Sequence, residues 1–545
     1  MAFLEGRRLL MTYKRRGYSG LYQGRTTNYF QNTTGVDIEI ATVKTIGSLY
    51  LLKPFVEALK VREIIDRIVP MERDNGGLTH GEVIEQLVLN RLNDPCPLVH
   101  IEDWAEHTGI LELCHVRPEQ LNDDRLGGAL DAIEPYGDDI EEKIVLHVLS
   151  RFSKIDTSQV LWDTTSFYFE GEHDESELIR YGYSRDQKPD KKQAVVELNV
   201  TAREGIPVCH RTLAGNASDQ KEALTNLDTL RKRLKNKDLL IIGDRALFTK
   251  ANLAGLIGKI DFVGPLAAKE REFILGFPDE QFQMLAYTTA KGRGGYSGID
   301  TSYRFEHDGG FYKCRAVVVK SDDLAEQEGK TLDKNLAKVA ADLEKIRGQL
   351  NKRKYKNYDY ANDQIKKMLA KHGNYGKLFH VVLNARDEDA MTLTWEYEKE
   401  LLDQERRLLG KYVLATSLDE KTHDAEVVLE LYKSRHLVEH RFRTTKSTLK
   451  IRPVFLQKDE RIRALVLVMI IALIVYALIE YVVKQERLAT SAKQALFMFR
   501  MPAIVTLRVN GQVMQQIGNI KPFMLEILGA LNVKPLELDG AVDTG

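Results

Sequence analysis

Cysteine is scarce in this chain. Four occur in 545 residues, Cys96, Cys114, Cys209 and Cys314, with no CxxC pair and no metal-like grouping with histidine. That excludes a disulfide framework and a thiolate metal centre, and it fits a reducing cytoplasm. Net charge is also missing. Lysine and arginine number 78 against 79 acids, a formal charge of −1. The surface is therefore not uniformly basic, and affinity for a polyanion must come from local patches. The N-terminus has no apolar signal-like stretch. Long hydrophobic runs are absent except for Ala464 to Ile479, sixteen residues flanked by Arg461 and Arg463 before and by Glu480 and Lys484 after. A membrane span needs about 20 such residues, so this run reads as a buried helix, and no second segment supports a membrane protein.

What is present supports a large folded protein. A 43% hydrophobic content is ample for extended cores, and the length corresponds to roughly two to four domains. The most informative stretch runs from Tyr432 to Arg452. Its sole acid, Glu439, is set among Lys433, Arg435, Arg441, Arg443, Lys446, Lys450 and Arg452. At helical spacing, Tyr432, Arg435, Glu439 and Lys446 project within an arc of about 60°. Val427, Leu431, Val438, Phe442 and Leu449 form an adjoining apolar stripe that docks the helix. A carboxylate flanked by cations suits a metal ion beside a phosphate chain. The plain alternative is that Glu439 neutralises Arg435 or Arg443 one turn away.

Two further acids stand in strand-like sequence. In Val160 to Phe169, Asp163 shares a face with Leu161, Thr165, Phe167 and Phe169. Leu239 to Gly243 is a continuous apolar run that ends at Asp244 and reads as a strand buried on both faces. Between them, Gln193 to Ala202 and Ile206 to Leu213 form a hairpin around Arg203-Glu204-Gly205. A helix follows, carrying Leu224, Leu227, Leu230 and Leu234. After Asp244 come a helix over Lys250 to Leu256 and a strand over Ile260 to Pro265.

The spacing of Tyr432, Arg435, Glu439 and Lys446 resembles the Tyr/Arg/Glu/Lys signature helix of one branch of bacterial insertion-sequence DDE transposases. The motif comes with two aspartates upstream, each at the end of a buried strand. The element order resembles the RNase H-like, retroviral-integrase-like fold of that family. The resemblance implies an α/β catalytic core interrupted by a mixed β/helical insertion and preceded by a helical N-terminal domain. It makes Asp163, Asp244 and Glu439 the catalytic and metal-binding residues, holding two Mg2+ ions, with Mn2+ a possible substitute. It also implies DNA contacts by Tyr432, Arg435 and Lys446, with Arg245, Arg443 and Lys450 alongside. Tyr412, at the start of the strand Lys411 to Ser417, matches the position of an aromatic that stacks on a flipped base in hairpin-forming relatives, and Trp395, in helix-like sequence, is the substitute candidate. The implied partners are double-stranded DNA, as terminal inverted repeats and as target, and a second copy in a homodimeric synaptic complex. The implied location is the cytoplasm, at the nucleoid, with no membrane. Cleavage would pass through a hairpin intermediate. A nuclease of the same fold without strand transfer, or a non-catalytic DNA-binding descendant, would share parts of this pattern.

The domain boundaries follow. Residues 1–35 form an arm without periodicity, crowded with Arg7, Arg8, Lys14, Arg15 and Arg16. Residues 36–152 form a helical domain for DNA end recognition or dimerisation, with a capping-box pattern at Leu78 to Glu82 and helices over Val99 to Thr108, Asp123 to Ile133 and Ile140 to Phe152. The catalytic core occupies 153–266 and 411–500. Residues 267–410 form the insertion, with glycine punctuation at Gly292-Arg293-Gly294-Gly295 and a strand over Phe311 to Val319. Within it, Leu332, Leu336, Val339, Leu343, Ile346 and Leu350 make the seam of a helical hairpin, and Ile365, Met368 and Leu369 return along it. Its turn, Lys352 to Tyr358, interleaves cations with aromatic rings. Residues 501–545 are a C-terminal segment.

Overall fold

The structure is a computed structural model that describes residues 29–30, 38–71, 77–185, 188–234, 236, 238–267, 270–287, 295–384, 390–450 and 456–538. The basic arm before Tyr29, the Gly292-Arg293-Gly294 turn and Arg452 lie outside these residues. The region ahead of the core opens with a strand, β1 (Ile38–Thr45), and then turns helical: α1 (Leu49–Ala58), α2 (Val61–Ile68), α3 (His80–Asn93), α4 (Asp123–Ile133) and α5 (Gly137–Arg151). The capping box sets the start of α3. Thr79 Oγ1 accepts from the Glu82 N–H at 3.0 Å, and the Glu82 carboxylate accepts from the Thr79 N–H at 2.7 Å, which satisfies two donors that a helix start leaves over. Asn122 caps α4 in the same way through the Arg125 N–H. The strand β1 is an addition to the predominantly helical region expected here. It pairs with Ala503–Val509, which pairs in turn with Gln512–Gly518. The chain ends therefore share one small sheet, a long-range pairing that local periodicity does not encode.

The main sheet begins with β2 (Gln159–Tyr168), β3 (Gln193–Thr201) and β4 (Pro207–Ala214). After α6 (Asp219–Leu234) come β5 (Leu240–Ile242), α7 (Lys250–Leu256) and β6 (Asp261–Pro265). In space the order is β4, β3, β2, β5, β6, with β2, β5 and β6 mutually parallel and the hairpin partners antiparallel. This is the order expected of an RNase H-like core. Every residue of β3 is buried, so a strand this deep needs cover on both faces.

The insertion divides differently from the expected 267–410 unit. Its first part, β7 (Gln283–Leu285), β8 (Tyr296–His307) and β9 (Gly310–Ser321), extends the main sheet rather than standing apart. Ala316 to Val319 are completely buried, and such a run is driven into a central position. The remainder is a separate layer: α8 (Asp322–Gln349), α9 (Tyr358–Lys371) and the hairpin of β10 (Phe379–Asn384) with β11 (Thr392–Tyr397). The seam residues Leu332, Leu336, Val339, Leu343 and Ile346 form its own hydrophobic cluster with Ala361 and Ile365. Trp395 lies on strand β11, not on a helix; from Thr392 to Glu396 the more buried residues, Leu393 and Trp395, alternate with exposed ones, as on one face of a hairpin.

The chain re-enters the sheet with β12 (Lys411–Thr416), which pairs with both β6 and β9. Then follow α10 (Ala425–Lys433), α11 (His436–Ser447) and α12 (Asp459–Gln485). The long apolar run is the body of α12. By length and composition this helix could cross a membrane, but 94% of its most apolar stretch is buried within the protein, against α3, α4 and β4. It is a core helix. Through it the N-terminal helices and the main sheet share one continuous hydrophobic core, so the helical region is not an independent unit.

A buried ionic cluster joins the same two parts. Glu141 on α5, whose side chain is 1% exposed, accepts from His210 Nδ1 at 2.7 Å and pairs with Arg233 of α6. Burial raises its carboxyl pKa, and the His210 and Arg233 charges outweigh that and lower it. Removing Glu141 leaves the buried His210 without this acceptor and Arg233 with only the exposed Asp138, and breaking such a buried group typically costs about 3–5 kcal/mol. Glu141→Ala should therefore lose about that much in urea unfolding. Asp138→Ala, which removes the 88% exposed partner of Arg233, should lose less than about 1 kcal/mol.

Candidate active site

Strand register brings two acids together. Leu161 of β2 pairs with Ile242 of β5, and Asp163 and Asp244 each lie two residues further along their own strand. Parallel neighbours run about 4.8 Å apart, so the carboxylates emerge side by side at one edge. Asp244 lies one glycine past the end of β5, and its Oδ1 accepts from the Ala246 N–H at 2.8 Å, fixing a turn. Asp163 is placed differently from expectation. It sits mid-strand, because β2 continues to Tyr168 alongside β3 after β5 has stopped. The ending that matters is that of the parallel partner.

Asp163 is 14% exposed, and its Oδ1 accepts from the Thr164 N–H at 2.8 Å. Burial first, and then the charge of Asp244, push its carboxyl up to about 7. Glu439 adds to the rise, while Arg435 and the Thr164 N–H oppose it. Asp163 thus senses both other acids, and the cation that reaches Asp163 and Glu439 is Arg435. Its Nη2 lies 3.8 Å from Asp163 Oδ2 and 3.9 Å from Glu439 Oε1. Both distances exceed hydrogen-bond range. Arg435 Nε is buried without a hydrogen-bond acceptor among the described residues.

The signature segment is two helices, not one. Helix α10 stops at Lys433 and α11 starts at His436. Ser434 Oγ donates to the Leu431 carbonyl at 2.6 Å. The Arg435 and Leu437 N–H groups bond three residues back, to Tyr432 and Ser434. A serine hydroxyl that bonds the preceding turn favours this local tightening. The expected single arc of four side chains is therefore broken. Tyr432 closes α10, Arg435 sits at the junction with its guanidinium 5.6 Å from the Tyr432 ring, and Glu439 lies in the first turn of α11. An acid there is favoured by the helix dipole. Lys446 lies on the sheet: its Nζ donates to Thr165 Oγ1 at 2.7 Å and stands 5.4 Å from the Phe167 ring. Thr165 and Phe167 share the Asp163 face, so this contact lays α11 across the acids.

Sequence reading missed the residue that clamps this helix. Arg441, counted only among the surrounding cations, is buried. Its Nε donates to the Gly205 carbonyl at 2.6 Å and Nη2 to that of Glu204 at 3.2 Å, and Nη1 pairs with Glu480 of α12. The available signal was its position beside Val438 and Phe442 on the inward stripe. Arg185 was missed too. From the opposite face of β2 its Nη2 donates to Thr164 Oγ1 at 2.7 Å.

The remaining expected residues divide by exposure. Arg245, Arg443 and Lys450 are exposed. Tyr412 is not available for stacking as expected. It is 9% exposed, packs 5.9 Å from the Tyr432 ring, and lies under Lys433, whose Nζ also approaches Tyr296 at 4.7 Å. Burial, aided by Tyr432, raises its phenol pKa. It is buried because β12 lies inside the sheet between β6 and β9.

As for ions, among the described residues no three His, Cys, Asp or Glu side chains are already gathered into a cage. Glu439, 55% exposed, faces Arg435. The donor set nevertheless fits hard divalent cations. All three groups are carboxylates, and the Asp163 pKa is raised first by burial and then by the Asp244 charge, a deficit of solvation and of positive charge that a bound cation would relieve.

That deficit has a measurable sign. The folded pKa of Asp163, about 7, lies above the ordinary value near 3.9. Protonation-linked stability is therefore full below about pH 4 and lost as pH rises through about 7. Asp163→Asn should raise the Tm of the metal-free protein at pH 8, with the gain shrinking toward zero near pH 4. A gain independent of pH would show that the carboxylate carries no such strain.

A solved structure titled as the piggyBac transposase synaptic complex with hairpin DNA is similar to this chain, with a TM-score of 0.41 and 10% identity over 84% of this chain and 82% of that one. No curated protein matches. Residues 41–145 match a family described as a domain of unknown function (DUF4277). Residues 155–475, more than half of the chain and containing all three acids, match the family described as transposase DDE domain. The chain therefore belongs to the DDE transposases, enzymes that cut DNA and transfer its strands.

Proposed function

We propose that Asp163, Asp244 and Glu439 together hold two Mg2+ ions, replaceable by Mn2+, over the scissile phosphate at the end of a mobile element. The carrying observation is the buried Asp163 carboxylate, flanked by two further acids and matched by one loosely held arginine. When bound, such a pair of ions activates the attacking oxygen and neutralises the leaving oxygen of an in-line displacement.

The residues of the chain supply position. The Thr164 and Ala246 N–H groups fix one oxygen each of Asp163 and Asp244, so both carboxylates keep their orientation. Glu439 completes the set by turning from Arg435. Arg435, bound at long range and with no acceptor for its Nε among the described residues, then gives its N–H groups to non-bridging phosphate oxygens. Lys446 holds α11 over Thr165 and adds charge beside the scissile phosphate. Tyr432 orients Arg435, and Arg245, Arg443 and Lys450 contact flanking phosphates. Tyr412 backs Tyr432 from the core.

In the proposed sequence, water attacks the phosphodiester and releases a 3′ hydroxyl. That hydroxyl attacks the opposite strand, forming a hairpin end and releasing the flanking DNA. A second hydrolysis reopens the hairpin, and the restored 3′ hydroxyl attacks target DNA. Terminal inverted repeats and target are both duplex DNA, and a homodimer brings two ends together. The work is done in the cytoplasm, at the nucleoid.

Asp163→Asn, Asp244→Asn and Glu439→Gln should each reduce cleavage of labelled ends by about 10²-fold or more, while DNA binding persists. A denaturing gel reads cleavage, the double-length hairpin band and joined product in one experiment. A variant that still cuts removes that residue from the set. Lys446→Ala should weaken binding and lower the slope of log K against log salt by about 1; an unchanged slope would mean that this ammonium serves only the protein.

A further inference from the structure

The insertion carries a concentration of charge that the active site does not use. Between Asn351 and Lys377 stand eight lysines and arginines against two aspartates, on a chain whose total is −1. Four of the cations, Lys352, Arg353, Lys354 and Lys356, occupy the turn between α8 and α9, and all four are exposed. Arg353, Lys354 and Lys356 have no ion-pair partner among the described residues. Lys366, Lys367 and Lys371 continue the exposed stripe along α9, on the side away from Ala361 and Ile365, with Lys367 paired to Asp363 at 2.8 Å.

This turn is built, not loose. Asn351 and Arg353 adopt left-handed backbone, with φ of 65° and 47°, which side-chain-bearing residues take only where surroundings enforce it. The enforcement is visible. The Asn351 side-chain amide donates to the Met391 carbonyl at 3.0 Å and accepts from the Met391 N–H at 2.9 Å. The Asn351 N–H bonds the Tyr355 carbonyl, and the Tyr355 ring packs edge-on to Tyr360 at 5.2 Å. Tyr355 thus holds the turn from inside while the cations point out. Like charges so close repel one another, and a polyanion laid against the turn would relieve that repulsion.

Helix α8 leaves the sheet directly after β9 and runs 28 residues, roughly 42 Å at 1.5 Å per residue. The turn therefore lies at the far end of a long helix, remote along it from strand β9.

We propose that this turn grips the phosphate backbone of duplex DNA away from the cleaved position, as a contact without base specificity. The proposal rests on the reading of the chain as a DNA-cutting enzyme, but its test needs no catalysis. The full-length protein with Lys352, Arg353, Lys354 and Lys356 changed to alanine is compared with the unaltered protein by fluorescence anisotropy, without divalent metal, across a salt series. One probe is a duplex of about 40 bp carrying the inverted repeat that flanks the gene; another is a random-sequence duplex of that length; a third is the repeat cut to about 12 bp, near one helical turn. The expected result is a slope of log K against log salt lower by about 3 to 4 on a long duplex, since each phosphate contact contributes about 0.9, with no change on the short one. Loss confined to the repeat probe assigns the contact to the element end, and loss on the random probe assigns it to target DNA. Restoring the charge with Arg353→Lys in an otherwise unaltered chain should keep the full slope. An unchanged slope on both long duplexes overturns the proposal, and that outcome is independent of whether the acid variants cut.

Discussion

The parallel pairing of β5 against β2 is the constraint on which the rest of this molecule depends. It is only three residues long, yet it decides which acid faces which. A slip of one residue would turn Asp163 to the other face of the sheet, because side chains alternate. The apolar run that forms β5 cannot slip freely: Leu240, Ile241 and Ile242 are all buried and packed between β2 and β6. Hydrophobic burial at the bottom of the strands therefore sets an electrostatic arrangement at their top, and a strained carboxylate is the result.

The third acid reaches the same place by a different route. Glu439 is far along the chain and exposed, so no strand register holds it. Its helix is held instead by a clamp at each end of the face. Arg441 ties α11 to the β3–β4 turn and to α12, and Lys446 ties it to β2. Each contact uses a charge inside the protein for placement. This explains why a segment so rich in cations is not simply a DNA-binding surface: some of its bases are structural, and Arg443 and Lys450 are those left exposed. The break at Ser434 separates these functions further, since it lets α10 pack on the β8 and β12 side while α11 crosses β2.

Much of this was legible in the sequence where chemistry is local. The span of α4, the capping box at Thr79, the hairpin around Gly205 and the order of five core strands follow from periodicity and turn residues. So does the burial of the run at Ala464, whose length falls short of a bilayer. What was not legible depends on partners remote in sequence. The β-branched residues around Ile40 suit a strand, but nothing near them names its partner, Leu507. Phe311 to Val319 reads as a strand, but not as one that joins the main sheet through β12. Tyr412 looks like any aromatic at a strand start, and only its neighbours β6 and β9 bury it. Arg441 reads as one cation among many until the Gly205 and Glu204 carbonyls appear beside it.

The near-zero net charge acquires a meaning from this geometry. An enzyme that must hold three carboxylates near a polyanion faces repulsion from its own site, at ranges that salt screens only beyond about 8 Å. A uniformly basic surface would relieve that repulsion but would bind DNA anywhere. Keeping the total neutral and concentrating cations at Arg435 and Lys446, at the exposed end of α11, and on the turn after α8 makes attraction depend on position. On the proposed reading, duplex DNA gains most when it lies along these points together, with the strand edge bearing Asp163 among them. Selectivity for one binding geometry can thus arise from the placement of charge before any base is read, and the rigid, left-handed turn at Asn351 and Arg353 is the feature of the fold that such placement requires.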